Sequence, residues 1–171
     1  MAAAPVYVPV EEYLRSSYSP DAEYVDGLIV ERAVGEFDHS IWQKALVFWF
    51  ELQARKAQIR VCPELRVQVA STSFLVPDVT LLDRNRPIEQ VVTHPPLAVF
   101  EILSPEDTFK RVVAKCARYQ KMGIPTILVL DPDGEKYRFT EGRLEPLPAR
   151  AFDLPGCQAR FDLDEIEKLL D

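Results

Sequence analysis

Apolar residues along this chain recur in two rhythms, one near 3.6 residues and one of two, and their alternation predicts the elements. Pro9 to Ser17 reads as a short helix with Glu11 and Glu12 in its first turn, where negative charge suits the dipole. Glu23 to Val30 reads as a hairpin turned by Asp26-Gly27, because glycine tolerates positive φ. Asp38 or His39 opens a long helix. Ile41, Ala45, Phe48, Trp49 and Leu52 form one stripe on it, and Trp42, Leu46 and Phe50 nearly close the circle. A helix apolar on so many sides belongs on a sheet, with surface to spare for a partner. The pattern fades at Arg55-Lys56.

Three strand-like runs follow. Val61 to Val69 alternates, with Leu65, Val67 and Val69 on one side and Arg66 and Gln68 on the other. Val76 to Leu82 and Leu97 to Leu103 are apolar almost throughout, as central strands are. Asn85 to Pro96 is a loop rich in proline and charge. The next helix is predicted to begin at Ser104 as N-cap, with Pro105 at N1 and Asp107 completing a variant capping box. Gly123 and Pro125 end it. Thr126 to Leu130 is a strand, Asp131-Pro132-Asp133-Gly134 a turn, and Lys136 to Thr140 a returning strand. Residues 143–160 read as irregular, and Asp162 to Leu170 as a closing helix. Interleaved strands and helices predict an α/β (α+β) fold, a mixed sheet flanked by helices.

Composition narrows the setting. A length of 171 residues with 47% apolar and 27% charged content suits one globular domain spanning 1–171, with a real core. Met1-Ala2-Ala3-Ala4-Pro5 lacks the basic segment and apolar core of a signal peptide, and no run is long enough to span a bilayer. Cys62, Cys116 and Cys157 are scattered and odd in number, which predicts reduced thiols in a cytoplasmic protein with no membrane partner. The net charge of −7 argues against tight non-specific nucleic-acid binding, yet leaves room for a local basic patch. Arg111, Lys115 and Arg118 share a helical face by spacing, with Lys110 and Lys121 at its margins; the plainest expectation for all of them except Lys115 is a solvated face.

Three residues carry the candidate chemistry. Glu101 lies in Leu97-Ala98-Val99-Phe100-Glu101-Ile102-Leu103, where an ionised carboxylate needs a cation, a metal or strong hydrogen bonds. Strand alternation puts it on the face of Val99 and Leu103. Asp78 follows Pro77 at the head of another apolar run, and Lys115 lies on the helix after Glu101. Read alone, Asp78 is a strand-start residue bonded to nearby backbone, and Lys115 a solvated lysine. Together, two acids on neighbouring strands beside an ammonium make a site for a hard divalent ion and a phosphate. In this reading all three lie near the carboxyl ends of adjacent elements.

The order of short motifs resembles the Uma2 family, also called DUF820, whose members look like PD-(D/E)xK restriction-endonuclease-like proteins. The matching segments are Glu23-Tyr24-Val25-Asp26-Gly27, His39 opening a helix, Pro77-Asp78-Val79 and Glu101-Ile102-Leu103-Ser104-Pro105. After them come Lys115 with Tyr119, Gly123-Ile124-Pro125 and Leu130-Asp131-Pro132. The resemblance implies a restriction-endonuclease-like core and metal-dependent cleavage of DNA phosphodiester bonds. The general pattern has a lysine two residues after the second acid, where this chain has Leu103; the resemblance implies that Lys115 replaces it from the helix. Family members often carry an aspartate a turn before the lysine, where this chain has Lys110-Arg111, and aromatics where it has Thr126-Ile127-Leu128-Val129.

The implied mechanism has Asp78, Glu101 and the Ile102 carbonyl holding one Mg²⁺ or Mn²⁺, with Lys115 neutralising charge on the phosphate. Glu23 and His39 are accessory candidates; equally, Glu23 pairs with a lysine and His39 caps its helix. Two other readings stay open. One is a catalytically weak or inactive binding or regulatory protein on the same fold. The other is a homodimer, joined through helix 41–52, in which the acids form structural ion pairs.

Overall fold

The computed structural model describes residues 6–19 and 21–170. In chain order the elements are α1 (Val10–Arg15), β1 (Ala22–Val25), β2 (Leu28–Glu31), α2 (Phe37–Ala57), β3 (Ile59–Pro63) and β4 (Val67–Ala70). There follow β5 (Ser73–Leu75), β6 (Val79–Asp83), β7 (Ala98–Ile102), α3 (Phe109–Met122), β8 (Thr126–Leu130) and β9 (Lys136–Thr140). The last are β10 (Arg143–Pro146), β11 (Ala151–Asp153), β12 (Arg160–Asp162) and α4 (Leu163–Glu167).

Six strands form the main sheet in the order β10-β9-β8-β7-β6-β3. Only the central pair β7–β8 is parallel within it, and α3 makes the crossover that a parallel pair requires. A second sheet, β2-β1-β5-β4, is antiparallel throughout, and β11 and β12 form a small hairpin. This is the mixed sheet with flanking helices that the hydrophobic rhythm predicts, and the N-terminal hairpin is part of the second sheet.

The period of two sorts the central strands into two cores. Ala98, Phe100 and Ile102 of β7 and Leu128 and Leu130 of β8 pack with α2 and the C-terminal segment. Phe100 lies between Phe50 and Phe161, with ring centroids 5.1 and 6.3 Å away. The alternate residues Val99, Ile127 and Val129 pack under Val112, Cys116 and Tyr119 of α3. Glu101 therefore faces α3 by register alone. α2 covers β3, β6 and β7 on one side and α4 on another, which accounts for most of its apolar residues but leaves Phe48 and Leu52 exposed. It ends at Gln58 in the left-handed conformation, φ 54°.

Four local expectations are corrected. The alternating run Val61 to Val69 is two strands in different sheets, β3 and β4. Pro63 and the positive φ of Glu64, 51°, turn the chain between them. Residues 143–160 are not irregular: Glu141 and Gly142, at φ 48° and 81°, make a tight hairpin turn from β9 into β10, and β11 and the start of β12 follow. β5 precedes Pro77 and was hidden by the apolar run that continues to Leu82. Finally, α3 starts later than Ser104. Thr108 is its N-cap and accepts from the Arg111 N–H at 3.3 Å, while Ser104 and Asp107 close a separate turn upstream. Lys115 consequently lies in the second turn of α3.

The displaced cap separates two substitutions that the sequence would rank the other way. Thr108→Ala is expected to cost about 1 kcal/mol in urea unfolding and Ser104→Ala less than about 0.5 kcal/mol. Equal losses in both variants would contradict the observed start of α3.

Candidate active site

β6 runs antiparallel to β7, with Val79 opposite Phe100. One residue further along, Asp78 and Glu101 fall beside each other on the face covered by α3. Asp78 thus stands at the amino end of β6, and not at a carboxyl end as the sequence suggested. The Ile102 N–H donates to Asp78 Oδ2 at 2.7 Å, which locks the carboxylate to the end of β7. Pro77 has no N–H to place in a ladder, and β6 starts only after it. The carboxylate therefore stands at the margin of the sheet.

Three carboxylates are almost wholly buried here: Asp78 is 4% exposed, Glu23 5% and Glu101 8%. Carboxylates that dry must be neutralised in place. Lys115 Nζ lies 2.8 Å from both Glu23 Oε1 and Glu101 Oε2. Tyr119, one turn further along α3, donates its hydroxyl to Glu101 Oε1 at 2.6 Å. The Val76 N–H donates to Glu23 Oε1 at 2.9 Å. Arg32 reaches Asp78 Oδ1 at 2.9 Å, and His39 Nε2 sits 3.2 Å from the same oxygen. Gln43 holds the Asp78 carbonyl at 2.9 Å.

The electrostatics follow from this geometry. Burial raises Glu101 to about 7, assisted by the charges of Asp78 and Glu23 and opposed by Lys115. Burial alone would discharge Lys115, but Glu101, Glu23 and Asp78 outweigh it and hold the ammonium protonated. Burial also disfavours an ionised Asp78; His39, Lys115 and the Ile102 N–H prevail and keep it below the ordinary aspartate range. The contact with Asp78 raises His39 above its usual value. Three acids thus face Arg32, Lys115 and a histidine biased toward its charged form.

A cavity of about 60 Å³ adjoins these groups, lined by Glu23, Arg32, His39, Asp78, Glu101 and Lys115 with Ser104, Asp107 and Arg111 at its margin. By the usual allowance for a water molecule it has room for several.

The structure brings Asp78, Glu101 and Lys115 together as the sequence expected, while Ile102 meets Asp78 through its N–H and not through the carbonyl that the sequence reading invoked. Glu23 pairs with a lysine, and that lysine is Lys115. His39 lies in the first turn of α2 and approaches Asp78; it does not cap the helix, whose N-cap is Glu36. The supposed solvated face of α3 is a seam instead. Arg111 donates to the Glu31 carbonyl, Lys115 binds Glu23, and Arg118 binds Asp26 and Ser73. Arg32 was not foreseen: a single arginine in a polar stretch after a hairpin carries no signal. Tyr119 was legible as a motif residue, but its hydrogen bond to Glu101 depends on helical geometry placing it beside Lys115.

Among the described residues, no three His, Cys, Asp or Glu side chains converge closely enough to hold a metal ion by themselves. The available donors are all oxygens apart from His39, and hard oxygen donors suit Mg²⁺ or Mn²⁺, which retain several waters and need few protein ligands. By donor chemistry the residues fit such an ion.

The Uma2 family model, described as "Putative restriction endonuclease", matches residues 10–149. A search of curated proteins finds no significant match. The crystal structure of "a putative nuclease belonging to DUF820" from Anabaena variabilis superposes with a TM-score of 0.80 at 20% identity, covering 98% of this chain and 100% of that one. At that identity the likeness is one of fold. A cryo-electron-microscopy structure of a DrdV–DNA complex is more distant, with a TM-score of 0.42 and 17% identity over 75% of this chain and 10% of that one. No helix among the described residues is long and apolar enough to cross a membrane. With well over half of its 171 residues inside the family match, the chain belongs to the Uma2 family.

Proposed function

We propose that the protein is a metal-dependent nuclease hydrolysing DNA phosphodiester bonds at the Asp78–Glu101–Lys115 cluster. The observation that carries this reading is the convergence of two buried carboxylates from adjacent strands on one cavity with a protonated lysine from the following helix. In a core, such a group of acids is a cost unless it performs a task.

Asp78 and Glu101 would hold Mg²⁺ or Mn²⁺, with the Ile102 carbonyl as a third ligand. When bound, the ion supplies Lewis acidity to the phosphate and a water of lowered pKa. Lys115 stays charged between Glu23 and Glu101 and offers its ammonium to the negative charge that grows on the phosphate oxygens. Its strong retention of the proton rules against use as a general base, because a base must first be free of its proton. Glu23 and Tyr119 orient Lys115 and Glu101 from either side. Arg32 and His39 now supply the positive charge that an ion would bring to Asp78. Arg111, at the cavity margin, is placed to meet a phosphate entering from outside.

One observation favours a second reading, a fold-keeping ion-pair network without catalysis. Both oxygens of Asp78 and both of Glu101 already have protein partners. The two readings part on metal response. A bound ion raises the melting temperature by mass action, whereas a closed network of ion pairs is indifferent to it.

Mn²⁺ titrated into the folded protein is expected to give a saturable heat and a raised melting temperature. Asp78→Asn and Glu101→Gln are expected to abolish both while keeping the native circular-dichroism spectrum. A parent protein that neither binds Mn²⁺ nor cleaves plasmid DNA would leave the structural network as the correct account.

Lys115→Ala is expected to be less stable than the parent, to retain Mn²⁺ binding because the dication takes over as the counter-charge of Glu101, and to lose plasmid nicking by roughly 100-fold or more, since it removes charge stabilisation. Nicking at the parent rate in a folded Lys115→Ala sample would remove the lysine from the mechanism.

A further inference from the structure

α2 contributes to the site only through its first turns, where His39 and Gln43 meet Asp78. Its middle has a different character. Phe48 is 51% exposed and Leu52 65%, although Leu46 and Phe50 on the opposite side are sealed in the core. The ring of Phe48 stands as a ridge between two grooves of about 400 and 340 Å³. Gln43, Lys44, Val47, Glu51 and Pro63 line one groove, and Lys44, Ala45, Lys168 and Leu169 the other. A half-exposed phenylalanine flanked by grooves large enough to take a phenyl ring is an unmatched knob beside unmatched holes.

The charges on this stripe identify what covers it. Lys44 and Glu51 are exposed, seven residues apart, and so on the same face two turns from each other. Neither joins an ion pair among the described residues. We infer that a second copy of this chain docks here, its α2 antiparallel to the first, with the two-fold axis crossing between Val47 and Phe48. That register sets Lys44 opposite the second copy's Glu51 and, by symmetry, Glu51 opposite the second copy's Lys44. It also sets Phe48 against the second copy's Val47, so that each ring enters the groove beside it. Leu52 meets Gln43, and Arg55 meets Ser40, with no like charges opposed. An axis centred on Lys44, Glu51 or Arg55 would instead bring identical charges together, which costs association. Apolar match and charge match select the same register. α2 is 21 residues long, so such a pair runs about 30 Å, with Pro63 and Leu169 extending the contact on either side. This interface is independent of the nuclease reading, because none of its residues binds the acid cluster except Gln43 through a backbone carbonyl.

An isologous contact allows a decisive charge swap within one polypeptide. Light scattering coupled to size exclusion, with loading from about 5 to 200 µM, spans the range in which a contact of this size associates. The parent is expected to approach twice the 19.5 kDa chain mass. Lys44→Glu and Glu51→Lys are each expected to weaken dimerisation by roughly tenfold, since each opposes like charges twice. The double variant Lys44→Glu/Glu51→Lys restores both pairs and is expected to recover the parent behaviour. Phe48→Ser is expected to be monomeric with an unchanged native spectrum. A parent that stays at the single-chain mass overturns the proposal and leaves the stripe to some other partner. It is overturned equally if the dimer persists in Phe48→Ser, or if the double variant remains as dissociated as the single ones.

Discussion

The Lys115 ammonium, held between Glu23 and Glu101, is the contact on which the rest of the structure depends. It joins three elements at once: β1 of the smaller sheet, β7 of the larger one, and α3 between them. Removing one partner from a buried ionic cluster leaves an uncompensated charge and costs about 3–5 kcal/mol, far more than a surface pair is worth. The two sheets share no ladder. Their mutual position rests on packing beneath α3 and on the polar seam of Arg111, Lys115 and Arg118 against the N-terminal hairpin. Charge satisfaction and tertiary assembly are therefore one event here. The hairpin must be docked before Lys115 is fully paired, and Lys115 must be paired before Glu101 can be dry and ionised.

Strand alternation decides which core owns each acid. Phe100 and Ile102 turn toward α2, and Val99 and Glu101 toward α3, so the carboxylate arises at the one strand position where a lysine and a tyrosine can reach it. A slip of one residue in β7 would send Glu101 into the cluster of Phe50, Phe100 and Phe161, where no cation waits. The aromatic packing on one side of the sheet thus fixes the register that builds the polar site on the other. The antiparallel pairing of β6 does the rest. Because it runs against β7, its first residues meet the last residues of β7, and Asp78 arrives beside Glu101 from a distance of 23 positions along the chain.

Much of this was legible in the residues, and what was missed has identifiable causes. A glutamate in a strand of valine, phenylalanine and isoleucine demands a partner whatever the fold, and so Glu101 stood out. The Asp26-Gly27 turn and the Gly123 stop act locally and were read correctly. Lys115 gained meaning only from motif order, because a lysine on a helix is ordinary until its neighbours in space are known. Arg32 had no such order to help it, and its role arises because the hairpin aims it at Asp78, 46 positions away. The long alternating run at 61–69 misled for a related reason. Alternation reports which way side chains point, not whether the chain stays in one sheet, and Glu64 turns it into the other without disturbing the rhythm. The cap of α3 was misplaced because both Ser104 and Thr108 are good caps, and the intervening Ser104–Asp107 turn satisfies one of them locally.

Charge balance ties these features into one constraint. Glu23, Asp78 and Glu101 could not all be buried and ionised without cations, and the chain provides Arg32, Lys115 and His39 from three different elements. Those cations are not equivalent. Lys115 is partly enclosed, contacts two acids and lies in the middle of a helix, so displacing it would disturb α3. His39 is held by a single contact at the first turn of α2, and its charge depends on Asp78 remaining ionised. Were Asp78 to hold a dication as proposed, the need for that proton would fall, and the histidine could release it without any movement of the backbone. Arg32 cannot lose its proton and would have to shift instead, toward Asp21 and Glu64, whose carboxylates already lie 3.7 Å away. The site thus contains one fixed cation, one that can discharge and one with somewhere else to go. That hierarchy is what the proposed metal site would require of a cluster already fully paired.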